Sequence, residues 1–192
     1  MRIGFNSSQE GTEYEQPLEG EWEAVIGVIA DVGIHKDVRG ISKRKVVVGL
    51  ELVARKAEED DGAGGARVSW VPERDEKGRR FVLFRKYNAT LWRANDGKKQ
   101  SDLRSVLDGL KPGMVEAAEK AGTEVDTMAW VGCPCRVSVE WDAKGRAGVT
   151  GILKPRAYKN ASQAPRVERD YAQPFGLWSW LVKNADQGTV AP

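Results

Sequence analysis

Arg79–Leu110 reads RRFVLFRKYNATLWRANDGKKQSDLRSVLDGL, and the order of its parts decides the fold: one long strand, a basic turn, then a short helix. Along Arg80–Trp92 the side chains sort into two faces. Phe81, Leu83, Tyr87, Ala89 and Leu91 take one, with Arg85 the exception; Arg80, Val82, Phe84, Lys86, Asn88, Thr90 and Trp92 take the other. Such period-two alternation marks a strand with one side in a core. Phe84 and Trp92 then point outward among Arg80 and Lys86, although a one-residue bulge near Arg85 would swap the faces upstream of it. After the turn ANDGKKQ, Ser101 suits the cap of a helix whose Leu103, Val106, Leu107 and Leu110 fall at helical spacing, with Gly109 and Pro112 closing it.

The same stretch concentrates charge. From Arg79 to Lys111 there are nine Lys or Arg against three carboxylates, whereas the whole 192-residue chain carries a formal charge of only +2. Phe81, Phe84, Tyr87 and Trp92 are interleaved with these cations. Cations neutralise phosphates and rings stack on bases of any identity, so the combination suits single-stranded nucleic acid. On composition alone, a half-buried strand with a solvated basic face explains the pattern equally well.

Moving outward, Glu21–Val32 places Trp22, Ala24, Ile26, Val28, Ala30 and Val32 on one face, and Gly27 within it marks a bend or bulge. A polar, basic connection leads to a second strand, Arg44–Ala54, with Val46, Val48, Leu50 and Leu52 on its core side. Residues 56–78 read as a long loop, because they hold the cluster Glu58, Glu59, Asp60, Asp61 and the run GAGGA. Downstream of the first helix, Met114–Ala121 forms another short helical segment. Strands at Pro134–Trp141 and Ala147–Leu153 follow, joined by a hairpin tipped with Lys144 and Arg146. Three strands, a helix and two strands is the element order of the five-stranded Greek-key OB barrel, whose strand 2–3 face and flanking loops bind oligonucleotides. The chain is thus expected to be mainly β: an OB barrel over residues 21–155 with a helix between strands 3 and 4, an acidic arm over 1–20 and an extension over 156–192.

Chemistry is sparse. GAGGAR lacks the Lys-Ser/Thr of a phosphate loop, and the single histidine, His35, has no acid placed by a catalytic motif. Cys133 and Cys135 are too close for a structural disulfide, and Cys135 reads as a small buried hydrophobe. These features point away from an enzyme, a metal site or a cofactor. No apolar run approaches the roughly 18 residues a membrane span needs, so a cytoplasmic chain with no membrane partner is expected. Beyond residue 155, LWSWLV carries Trp178 and Trp180, which either pack on the domain or meet a partner.

Several stretches together resemble a family of bacteriophage-encoded OB-fold single-stranded DNA-binding proteins: GFNSS with its acidic arm, EGEWEAVIGVIADVG, KRKVVVGLEL, FRKYNATLW with SDLRSVLDGL, and WVGCPCRVSVEWDAKGRAGVTGILKP. The resemblance spans about residues 4–155 and implies sequence-independent coating of single-stranded DNA in phage replication or recombination, in the host cytoplasm. The long loop 56–78 and the Trp-rich tail depart from it. On this reading Lys43, Arg44, Lys45, Arg80, Lys86, Arg93, Lys98, Lys99, Lys144 and Arg146 contact phosphates, and Phe84 and Trp92 stack bases. Glu10, Glu13, Glu15, Glu19, Glu21 and Glu23 would mimic DNA in the empty groove. Replication or recombination proteins and further copies of the chain are additional partners it allows, with Trp178 and Trp180 as the partner patch. The rivals are an OB-fold interaction module docking on a replication or host defence protein, and a recombination mediator that binds DNA weakly alone.

Overall fold

The computed structural model describes residues 15–36, 39–60, 66–95, 97–169 and 171. These form an antiparallel sheet of β1 (Gly20–Lys36), β2 (Ser42–Asp60), β3 (Ala66–Pro72), β4 (Val82–Asn88), β5 (Pro134–Trp141) and β6 (Ala147–Leu153), with two short helices, α1 (Asp102–Leu110) and α2 (Met114–Ala121). The ladder runs β3-β2-β1-β5-β6, and β4 also pairs with β2. β4 and β6 touch without pairing as strands.

The inner face follows the expected alternation except in β1, where the register shift at Gly27 puts Ile29 in the core and turns Val28 to the outer face beside Gly49. Trp22, Ala24, Ile26, Val48, Leu50, Leu52, Phe81, Leu83, Tyr87, Val137 and Val139 are buried together, and Leu103 and Leu107 of α1 close one side. Trp22 meets Phe81 edge-on at 6.2 Å between ring centres. Trp130, buried after α2, donates from Nε1 to the Leu107 carbonyl at 3.0 Å, so its one polar atom is satisfied. Cys135 lies in this core, where burial pushes its thiol up to about 12.

Three expectations need correction. Residues 56–78 are not one loop: β2 continues to Asp60, and β3 pairs back along Ala54–Asp60. β3 escaped the periodicity because it has no core face; Val68 and Val71 are exposed, and backbone pairing alone makes it a strand. The sheet thus has six strands rather than five. The third expected strand is also shorter, ending at Asn88 rather than Trp92.

Gly27 does sit at a register shift of the β1–β2 ladder, between Ile26 and Val28. Its missing side chain is a matter of space: a Cβ there would lie 2.3 Å from the Tyr171 ring. That contact belongs to a C-terminal strap, residues 156–169 with Tyr171, which crosses the outer face of β1 and β2. Two carboxylates of that face hold it. Fully buried Glu51 accepts the backbone N–H groups of Glu168 and Arg169, both at 2.8 Å. Buried Glu23 accepts from Arg156 Nε at 2.8 Å and from the Tyr158 hydroxyl. The described part of the extension therefore packs on the sheet. Trp178 and Trp180 lie outside the described residues.

Candidate nucleic-acid interface

Asn88 ends β4, and the four residues after it are fastened to the start of α1. Ser101 caps the helix as expected, its Oγ accepting the Arg104 N–H, and the same hydroxyl donates to the Thr90 carbonyl at 2.5 Å. Ser101 N donates to the Trp92 carbonyl at 3.0 Å, and Arg104 Nη1 donates to the Leu91 carbonyl at 2.9 Å. Arg104 is itself buried, bonding Asp108 within α1 and Glu119 of α2. The result is a rigid platform carrying a Trp92 side chain that is 54% exposed. The backbone of residues 90–92 is thus held by polar contacts while the indole of Trp92 is left largely in water.

Cations surround the platform unevenly. On the outer face Lys45 lies opposite Asn88 and donates Nζ to its Oδ1 at 2.6 Å. Lys86 reaches the surface one step along the same face; burial of its surroundings and nearby Lys45 hold its ammonium below the usual lysine range. Arg93, Lys98 and Lys99 are exposed on the turn after Trp92, where an isolated bridge joins Arg93 to Gln100. Lys43 stands near the start of β2, half-buried. Arg44 beside it is paired with Asp31. Phe84 is half-buried, its ring lying where a Cβ on Gly49 would come within 2.8 Å. Arg85, the exception on the inner face, stacks on Tyr87 at 5.2 Å. The β2–β4 register is unbroken, so no bulge swaps the two faces.

Other expected contacts lie elsewhere. Arg80 is only 12% exposed and is spent on the strap, pairing with Glu51 at 3.4 Å and Glu168 at 3.0 Å and donating to the Arg166 carbonyl. Lys144 and Arg146 sit at the β5–β6 tip, which the register assigns to the Gly20 end of β1, whereas Lys45 belongs to its Asp31 end. Arg146 is closed on Asp142, and that hydrogen bond lowers the carboxyl to about 2. The acidic arm departs from the DNA-mimic expectation as well. Glu15 accepts from Glu76 N at 2.8 Å, Glu19 from Trp141 N at 2.6 Å, and Glu21 pairs with Arg136 at 2.5 Å, while Glu23 holds the strap. Glu10 and Glu13 lie outside the described residues.

A groove of about 150 Å³ opens beside Trp92, lined also by Asn88, Thr90, Gln100, Ser101 and Asp102. Sequence reasoning put Asn88 on the right face but gave it no role, and it missed Asp102, because neither residue belongs to a motif. Among the described residues no group of three or more His, Cys, Asp or Glu could hold a metal ion, and no helix is long and apolar enough to cross a membrane. His35 is buried, with Nε2 donating to the Val32 carbonyl at 2.8 Å. No known family model matches the chain, and no curated protein matches it significantly.

Proposed function

We propose that this chain binds single-stranded DNA along the outer face of β2 and β4 and over the turn that follows, as a coating protein of phage replication or recombination. The observation that carries the reading is Trp92, exposed on a platform fixed by Ser101 and Arg104 and set among Lys45, Lys86, Arg93, Lys98 and Lys99. Lysine and arginine heads would take phosphates, and the indole would stack a base, with half-buried Phe84 offering an edge further along the face. Arg80 has no part in this path.

The fold reading supports it. Leaving out the β3 hairpin, the pairings β4-β2-β1-β5-β6 are compatible with the order of an OB barrel, and the β4–β6 contact is where such a barrel would close. The binding face would then be the one that OB folds use.

The test is fluorescence anisotropy of a labelled oligo-dT and of its duplex across a salt series, with wild type and Trp92→Ala. Tight, salt-sensitive binding that favours the single strand and weakens in Trp92→Ala supports the proposal. Absence of binding at low salt overturns it and turns the search to protein partners.

A further inference from the structure

Resting on that reading, we propose that the groove beside Trp92 is a slot for one nucleobase and that its polar wall selects guanine. Asn88 and Asp102 carry the selection. Lysine has only hydrogen-bond donors, so the 2.6 Å contact from Lys45 Nζ fixes which end of the Asn88 amide is oxygen. The NH₂ end is left to donate. Asp102, exposed at the first residue of α1, supplies the complementary chemistry: an ionised carboxylate accepts and never donates. Its negative charge in the first helical turn is also favoured by the helix dipole. Among the described residues its carboxylate has no hydrogen bond or ion pair. Ser101 is already committed, its hydroxyl donating to Thr90 and its Oγ accepting from Arg104 N, so it holds the wall in place and does not read a base.

A ring on Trp92 thus meets the Asn88 donor and the acceptor-only Asp102 across a mainly polar groove, while Gln100 and Thr90, which can each donate or accept, adapt to whichever base enters. Guanine presents two adjacent donors, N1–H and the exocyclic N2 amine, which a carboxylate takes in parallel, next to the O6 acceptor that an amide NH₂ can reach. Adenine and cytosine each offer one amine next to a ring-nitrogen acceptor, which faces a carboxylate unfavourably. Thymine has a single donor between two acceptors. Both groups are exposed in the free chain, so they discriminate only where the stacked base shuts water out of the groove and a mismatched base leaves them unpaired. The rest of the path reads only phosphate and π-face, so the slot adds a local preference to an otherwise sequence-tolerant binder.

The experiment is competition anisotropy against labelled oligo-dT, using unlabelled oligonucleotides of equal length with repeats TTG, TTA, TTC and TTI, where I is inosine. Wild type should bind TTG about 5-fold or more tighter than TTA and TTC, and removing the N2 amine in TTI should lose most of that gain. Asp102→Asn should level the series while keeping or raising affinity for oligo-dT, since it removes a negative charge near phosphate. Asn88→Ala should reduce the preference for TTG without reversing it. Equal binding of all repeats by wild type, with oligo-dT still bound, overturns the slot and leaves the single-strand reading standing. A guanine preference that survives Asp102→Asn overturns the assignment of the carboxylate. Failure to bind any oligonucleotide overturns the slot together with the reading beneath it.

Discussion

The outer face of the sheet has two ends, and they treat charge in opposite ways. At one end Glu23, Glu51, Arg80, Arg156 and Glu168 are drawn into contacts within the chain, under a strap that buries both sheet carboxylates. At the other end Lys45, among the described residues, bonds a neutral amide, Lys86 reaches solvent and Trp92 stands in water. Arg80 and Lys86 come from one strand segment and look alike as letters. A cation's availability is decided by which carboxylates the rest of the chain brings to it, and those here lie 29 and 88 residues away from Arg80 in sequence.

The largest effect expected from this contrast is on stability at the strapped end. Glu51→Ala removes the acceptor of two backbone N–H groups and a partner of Arg80 in a fully buried place, and should cost about 3–5 kcal/mol in urea denaturation. Glu51→Ala and Arg80→Ala should be non-additive, with a coupling of about 0.5–3 kcal/mol, because they share one contact. Additive costs would mean the two residues are independent and the strapped end is no network.

Next in size is Trp92→Ala at the open end. It should weaken oligo-dT binding by about 1–3 kcal/mol while moving stability by no more than about 0.5 kcal/mol, as for an exposed side chain. A large stability loss would show that the ring is packing after all. Smaller again is the change in salt dependence. Lys45→Ala should lower the slope of log affinity against log salt by about 0.7, the share of one phosphate contact on a single strand. Arg80→Ala should leave that slope unchanged, and an equal fall for both would erase the distinction between the ends.

The smallest effect concerns pH. The Lys86 ammonium already sits below the usual lysine range, so it gives up its proton earlier than an ordinary lysine as pH rises. Phosphate nearby favours the charged form, so binding takes up protons there, and affinity should begin to fall at lower pH than for Lys86→Arg. Identical alkaline profiles for the two proteins would remove Lys86 from the path.

What could be read from the letters follows from range. β1, β4, β5, β6 and the Ser101 cap announce themselves through alternation, helical spacing and a cap residue, all local signals. Trp92 is exposed, but the strand stops four residues earlier, so its exposure is set by the loop that Ser101 and Arg104 hold and not by the alternation. β3 was illegible because a strand with no buried side leaves no hydrophobic period, and the acidic GAGGA neighbourhood imitates a loop. The strap was illegible for another reason: Glu23 and Glu51 read as ordinary solvent-facing positions of half-buried strands. Only partners more than 100 residues downstream turn them into buried anchors. The slot depends on an amide whose orientation is set from across the strand pair, which no spacing rule encodes.

The position of those anchors also sets an order of events during synthesis. Every strand of the sheet has been made by Leu153, yet the backbone groups that Glu51 accepts come from residues 168 and 169. At about 5–20 residues per second, a ribosome needs roughly one second or more to cover that interval. Strands that pair before residues 168–171 dock would leave Glu51 without those two donors and Gly27 without its cover. The strapped end of the outer face is covered only once Tyr171 docks on Gly27, a step that the strand order alone would not reveal.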